Sequence, residues 1–365
     1  MSNKDRIAEL ETLINEAAHQ YYNEEPLMTD AEFDSLCDEL RKLAPKSQAL
    51  KQIGAKPTSV WPEVHHETAM GSQFKADSIE EFLAWAKKTG AKTFCWSEKL
   101  DGSSLALKYN KGVLIQALSR GDGVTGSDLT PNVAQMKVLS SIKATEKIWV
   151  RSEVIMKKST FDEKYKGKIN EESGHTFKNP RNTAAGLARR FSGVGCDDLG
   201  VIAYGVDGVE LTTEMQKFDW LEQAGFFTPA WGIVTAEEVE QVYRRYIESD
   251  RNSCPFEIDG LIIAVNDIAA QKALGVTDNR PKGQIALKFP SLQVESILEQ
   301  VIWQTGRTGR ICPVALISPV EVGGVTISRV TLDNCGIIQA LNLELGCRIV
   351  VERRNDVIPK IVRRL

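Results

Sequence analysis

A lysine and an aspartate two residues apart are the first residues here whose types and spacing could do chemistry. They lie in "SEKLDGSSLALKYNKGVLIQALSRGDGVTG", from Ser97 to Gly126. A lysine amine is a good nucleophile only when deprotonated, and its free pKa is about 10.4. Burial and neighbouring cations lower that value. Attack on a phosphate also needs cationic groups to hold the departing charge. A nucleophilic Lys99 therefore predicts companions: more Lys and Arg, carboxylates for sugar hydroxyls or a metal, and an aromatic ring for a base. Asp101 shares a face with Lys99 if the segment is extended, and Gly102 lets the chain turn tightly beneath a ligand. Alone, K-x-D-G is a weak signal, because most such matches are exposed turns.

The companions are present. "SRGDGVTGSD" supplies Arg120 in a glycine-rich loop, "RSEVIM" supplies Glu153, and "NPRNTAAGLARR" supplies Arg181 and Arg189. "EIDGLIIAVN" sets Asp259 on an otherwise apolar strand, and "IALKFP" sets Lys288 inside another. An unpaired charge there would be costly. Each residue taken singly reads equally well as a surface or ion-paired side chain. Their co-occurrence is what that bland reading explains poorly.

The elements that must position these residues are legible in outline. Ile7, Leu10, Leu13, Ile14 and Ala17 follow helical spacing, as do Phe33, Leu36, Leu40 and Leu43. Residues 1–45 thus read as a helical hairpin broken by "EEPLMTDAEF", with Thr29 and Glu32 forming a capping box. "SIEEFLAWAKK" predicts a helix, and "LALKY" and "VLIQALS" flank "NKG" as a β-hairpin. Further strands are expected at "GVIAYGV", "IDGLIIAV" and "QIALKF", with helices near 213–224 and 236–249. This mixture predicts an α+β fold with antiparallel sheets. Beyond Pro290, short Val- and Ile-rich strands predict a small OB-like barrel.

Composition sets the wider bounds. With 365 residues, the chain should hold two or three domains. Its start, "MSNKDRIAEL", lacks the apolar core of a signal peptide, and no apolar run approaches the roughly 18 residues of a membrane span. A cytoplasmic protein is expected. Seven scattered cysteines without a C-x-x-C pair disfavour disulfides and zinc. The net charge of −4 is unevenly spread. Residues 1–50 hold five Lys and Arg against eleven Asp and Glu, whereas residues 301–365 hold nine against five. A basic end can meet phosphates, though a solvated face without a partner is as common.

The stretches "KLDG", "SRGDGVTGSD", "NPRNTAAG", "EIDGLIIAVN", "IALKFP", "TGRTGRICPVA" and "NDVIPKIV", in this order, make the sequence similar to the bacterial-type NAD+-dependent DNA ligases along nearly its whole length. The resemblance implies three domains. Residues 1–60 would recognise the nicotinamide mononucleotide half of NAD+. Residues 61–290 would form the nucleotidyltransferase domain and residues 291–365 an OB-fold. It also implies roles. Lys99 would attack the adenylate phosphorus of NAD+ and carry AMP, and Asp101 would orient the lysine and the ribose. Glu98 and Arg120 would contact the nucleotide, Glu153 the ribose hydroxyls, and Tyr204 would stack on adenine. Arg181, Arg189 and Arg251 would bind phosphates, Asp259 would assist charge balance and metal, and Lys288 would stabilise the phosphate as the leaving group departs. Tyr21, Tyr22, Asp30, Phe33 and Asp34 would contact the mononucleotide half. Arg307, Arg310, Arg329, Arg353 and Arg354 would lie along DNA. The implied cofactors are NAD+ and Mg2+, with Mn2+ as a substitute and no zinc. The implied partner is nicked duplex DNA, bound by a monomer without a membrane.

The sequence departs from the family pattern in four places. Ser97 stands where a glutamate is usual, with Glu98 one place closer to the lysine. Ala264 replaces the lysine that usually ends the "EIDGLIIAVN" motif, and Phe33 replaces a tyrosine. The chain also stops at Leu365, before the zinc, helix-hairpin-helix and BRCT modules usual in the family, which reads as a minimal form or a fragment. These departures keep two alternatives open: an ATP-dependent nucleotidyltransferase and a degenerate, non-catalytic DNA-binding homologue.

Overall fold

A computed structural model describes residues 3–23, 30–45, 47–50, 61–171, 174, 176–277, 279–290, 293–305, 311–322, 325–332, 334–354 and 358–365. The chain divides into two compact units. One gathers the N-terminal helices and the chain from Pro290 onward, the other the chain from Gln48 to Phe289.

In the first unit, α1 (Asn3–Asn23) and α2 (Asp30–Leu43) form where helical apolar spacing predicts them. Leu10, Ile14, Ala17 and Leu40 are buried. Arg6 joins the two helices, placing Nε and Nη2 on the two carboxylate oxygens of Glu39 at 2.7 and 2.6 Å. Such a forked pair fixes geometry better than a single contact does. The capping box at Thr29 and Glu32 lies outside the described residues.

The C-terminal part of this unit is the expected barrel. Strands β14 (Gln293–Thr305), β15 (Ile311–Val322), β16 (Val325–Thr331), β17 (Arg348–Arg354) and β18 (Ile358–Arg364) run in the order β16-β15-β14-β17-β18. All their pairings are antiparallel. A register shift between Leu298 and Gln300 lets β14 pair with β17 along its first half and with β15 along its second. The end strands β16 and β18 approach each other around a core of Leu298, Ala315, Ile327, Val330, Ile349 and Val351.

The second unit is built on two sheets. Five strands run β2-β13-β10-β3-β9: β2 (Phe74–Ala76), β13 (Gln284–Lys288), β10 (Ile258–Val265), β3 (Phe94–Leu100) and β9 (Trp231–Val234). Four run β5-β4-β7-β8: β5 (Val113–Ser119), β4 (Ser103–Asn110), β7 (Ile148–Ile155) and β8 (Gly200–Asp207). Pairing is antiparallel except between β2 and β13. The short strands β1 (Glu63–His65) and β6 (Thr125–Ser127) pair together, as do β11 (Val276–Thr277) and β12 (Arg280–Pro281). The β4–β5 hairpin turns on Lys111 and Gly112, with φ of 49° and 77°. Two left-handed residues between paired strands match their twist. Helices α3 (Ile79–Thr89), α4 (Thr130–Val133), α5 (Lys158–Lys164), α6 (Pro180–Arg189) and α7 (Glu214–Gln223) pack around the sheets. Two apolar clusters hold the unit. One includes Leu105, Val150, Leu187 and Phe218, the other Phe82, Phe94, Leu261 and Leu287.

Candidate functional site

Lys99 sits one residue from the end of β3, and Gly260 of β10 faces it across the ladder. Lys288 of β13 faces the same glycine from the other side. The two lysines therefore flank Gly260 in one row, on one face of the sheet. Between Ile258 and Gly260 the ladder slips by one residue, and Asp259 is the extra one. A bulge of this kind re-aims a side chain. Here both Asp259 carboxylate oxygens lie 2.8 Å from Lys99 Nζ.

This geometry corrects one expectation. Burial alone would depress the Lys99 ammonium, but the Asp259 carboxylate outweighs it, and Asp101 and Glu153 add to the effect. The amine is held above the ordinary lysine range, charged rather than neutral. Burial likewise pushes Asp259 up, but Lys99, Lys288 and Arg181 hold its carboxyl below the usual range. The surroundings of Lys99 are carboxylates as much as cations.

Asp101 and Gly102 make the link from β3 to β4. Asp101 is paired with Arg181, whose Nε lies 3.0 Å from Oδ1, and the Asp101 N–H donates to the Glu257 carbonyl at 3.0 Å. Arg181 is the second residue of α6. Asn179 starts that helix by accepting the Asn182 N–H at 2.8 Å, and Pro180 fills the first turn. Both are strong helix-start residues. Gly102 is required by close approach, because a Cβ there would stand 2.2 Å from the Val154 carbonyl oxygen.

A second group gathers on the four-stranded sheet. Glu153 of β7 pairs across the ladder with Ser104 of β4, and Ser104 Oγ donates to Glu153 Oε2 at 3.0 Å. Glu153 is buried, which pushes its carboxyl up to about 7 against the opposing pull of Ser104, Lys99 and Arg120. Tyr204 is the extra residue where the β7–β8 ladder slips between Arg151 and Ser152. It is partly buried against the second apolar cluster. Burial, with Glu153 adding to it, pushes its phenol up to about 12. Arg120 follows β5, and its charge acts on both Glu153 and Tyr204. Its loop is held by Gly121 (φ 57°) and by Asp122, whose Oδ1 accepts the Val124 and Thr125 N–H groups at 2.9 and 2.6 Å.

Lys99, Asp101, Arg120, Glu153, Arg181, Asp259 and Lys288 thus act on one another, with Tyr204 beside them. Other expected residues stand apart. Glu98 points to the face opposite Lys99, where it accepts the Tyr246 hydroxyl at 2.9 Å and the Ala230 N–H at 3.0 Å. Arg189 ends α6, at the far end from Arg181, and Arg251 lies over the Phe289 ring at 5.5 Å. Ala264 is buried on the Lys99 face, opposite Cys95 and Gln284. Arg329 is exposed on β16. Arg307 and Arg310 lie outside the described residues, as do the side chains of Arg353, Arg354, Tyr21, Tyr22, Asp30, Phe33 and Asp34. Sequence reasoning missed Ser104 and Asn179. The Asn-Pro pair before α6 was a readable helix-start signal, whereas Ser104 had none beyond its strand alternation.

Among the described residues, no three His, Cys, Asp or Glu side chains stand together as a metal set, and no helix is long and apolar enough to cross a membrane. The site brings together the positive charges of Arg120, Arg181 and Lys288, the buried carboxylate of Glu153 and the ring of Tyr204.

Comparison with known proteins gives this two-sheet unit and five-stranded barrel a family. Residues 58–292 match the family model of the NAD-dependent DNA ligase adenylation domain, and residues 295–365 that of the NAD-dependent DNA ligase OB-fold domain. Residues 1–52 match the DNA ligase-like, N-terminal NAD+-binding domain. The chain belongs to the NAD-dependent DNA ligase family. It is 36% identical over 387 residues to the DNA ligase of Sorangium cellulosum (strain So ce56), covering 98% of this chain and 56% of that protein. It is also 36% identical over 384 residues to the DNA ligase of Treponema denticola, covering 99% and 57%, respectively. The chain spans about half the length of the curated relatives it matches.

Proposed function

We propose that this protein seals 5′-phosphate/3′-hydroxyl nicks in duplex DNA, using NAD+ as the adenylate donor and a covalent lysyl-AMP intermediate. The observation that carries this reading is Lys99, gripped by Asp259 at 2.8 Å within reach of the charges of Asp101, Glu153, Arg181 and Lys288. The three modules are residues 1–60, 61–290 and 291–365, in the order mononucleotide recognition, adenylation and DNA backbone contact.

Glu153 and Ser104 receive the ribose hydroxyls, and Tyr204 supplies the ring for adenine. Arg120, Arg181 and Lys288 meet the phosphates. Lys99 must shed a proton before it attacks, and Asp259 is the base nearest Nζ. Nζ then bonds to the adenylate phosphorus as the bond to the nicotinamide mononucleotide phosphate breaks, and cations meet the departing charge. The nick 5′-phosphate next attacks that phosphorus and displaces Lys99. Finally the 3′-hydroxyl attacks the nick phosphorus and displaces AMP.

Asp259, whose buried Oδ1 has no hydrogen-bond partner, would give Mg2+ one protein oxygen beside the substrate phosphates, since the ion usually takes one or two carboxylates and keeps its water. Bound there, it would screen phosphate charge. The partner is nicked duplex DNA, met by a monomer in the cytoplasm. The test is sealing of a singly nicked duplex with NAD+ or ATP as donor. Sealing with NAD+ alone supports the reading, and sealing with ATP or with neither overturns it.

A further inference from the structure

His66 lies between β1 and β2, outside every strand that carries a site residue. Its Nε2 is 3.0 Å from the Ser119 carbonyl oxygen and 3.1 Å from the Arg120 carbonyl oxygen. Carbonyl oxygens only accept. Nε2 therefore carries the ring hydrogen and shares it between the two. Burial lowers the pKa of this ring, the Arg120 carbonyl opposes the shift, and the Arg151 charge adds to it. The shift favours the neutral ring.

The chain around His66 is stitched to the same loop. β1 pairs along β6, setting Val64 opposite Gly126 and His65 opposite Thr125. The His66 N–H donates to the Val124 carbonyl at 2.8 Å, and the Met70 N–H donates to the Gly123 carbonyl at 2.8 Å. The Arg120 carbonyl takes a second donor from within the loop, the Gly123 N–H at 3.0 Å. Gly126 leaves room for the ring: a Cβ there would meet the Ser119 oxygen at 1.9 Å and His66 Nε2 at 2.8 Å. The imidazole therefore fills a slot closed by backbone on several sides and grips the peptide that launches Arg120.

We infer that His66 is a positioning residue for Arg120, fixing through its Nε2–H the backbone from which that guanidinium serves the nucleotide beside Glu153 and Tyr204. It acts through Arg120 and touches no substrate. The inference rests on the adenylation reading above. It has a specific chemical consequence. A glutamine amide can place a donor where Nε2 stands, whereas an asparagine amide reaches only to the position of Nδ1.

The test measures covalent AMP transfer from NAD+ to wild type, His66→Ala, His66→Gln and His66→Asn, at limiting and saturating NAD+. All rates are taken well below the melting temperature of every variant. His66→Ala and His66→Asn should lose roughly 10- to 100-fold, mostly at limiting NAD+. His66→Gln should stay within about threefold of wild type. Because glutamine also fills the slot better than asparagine, His66→Met, which matches glutamine in length and donates nothing, is added. A slot that merely needs filling would let it label like His66→Gln, whereas it should fall with Ala and Asn. If Asn labels as well as Gln, or His66→Ala labels at the wild-type rate, the inference is overturned while the adenylation reading stands. If the wild type takes no label, the adenylation reading falls and the inference with it.

Discussion

Lys99 and Asp259 set the behaviour of the site at the scale of single residues. The carboxylate orients Nζ and also keeps it charged. Asp259→Asn should therefore act in two directions. Loss of orientation and of the nearest base should slow AMP transfer about 100-fold or more at pH 7. The amine, freed from its counter-charge, titrates at lower pH, so the rise of rate with pH should begin earlier than in the wild type. A pH-rate profile of adduct formation checks this, and an unshifted profile would contradict it. Glu153 gives the opposite linkage. Its folded-state pKa of about 7 lies above its ordinary value of 4.5. The native state thus binds the proton more tightly than the unfolded chain between those values, and stability falls as pH rises through that window. Glu153→Gln should remove this loss, gaining up to about 3 kcal/mol at pH 8 relative to pH 4. Thermal melts of both proteins across that range test it. The residue types of this site were legible in the sequence, because each phosphate or sugar contact needs a particular charge. The pairings were not. Asp101 goes to Arg181, and Lys99 is charged, because residues 80 and 160 positions away fold against them.

At the scale of elements, two glycines separate close approach from mere freedom. Gly102 joins β3 to β4 where no Cβ fits beneath the Val154 carbonyl. Gly102→Ala should cost about 1–3 kcal/mol by pushing β4 from β7, and should slow adduct formation as Ser104 leaves Glu153. Gly186 lies within α6 with nothing near its Cβ position. Gly186→Ala should stabilise by about 0.5–1 kcal/mol. Equal melting shifts for the two would contradict this account. The β4–β5 hairpin, the N-terminal helices and the barrel strands were readable, because turn chemistry and apolar period are local. Alternation along β3 accounts for Glu98 leaving the Lys99 face for Tyr246 and Ala230, against the nucleotide contact expected of it. Sheet order was not readable, since β10 finds β3 from far along the chain. The bulges that aim Asp259 and Tyr204 left no mark in the pattern either.

At the scale of the whole molecule, charge rather than shape decides how DNA would be met. The net charge is −4, and basic excess is local: nine Lys and Arg against five Asp and Glu over residues 301–365, and thirteen against six over residues 137–190. Attraction must therefore come from local phosphate contacts, which release counterions on binding. Affinity for a nicked duplex should fall roughly tenfold or more between about 50 and 200 mM salt, and Arg329→Ala should reduce the log–log slope by about one. Titrations at several salt concentrations give both quantities, and a flat response would contradict them. The central claim is that Lys99 takes AMP from NAD+. The most direct measurement is peptide mass mapping of the intact chain after incubation with NAD+ alone and no DNA. The account predicts an adenylate mass on the peptide bearing Lys99, absent with ATP and absent in Lys99→Ala. An adenylate on any other residue, or none at all, would contradict it.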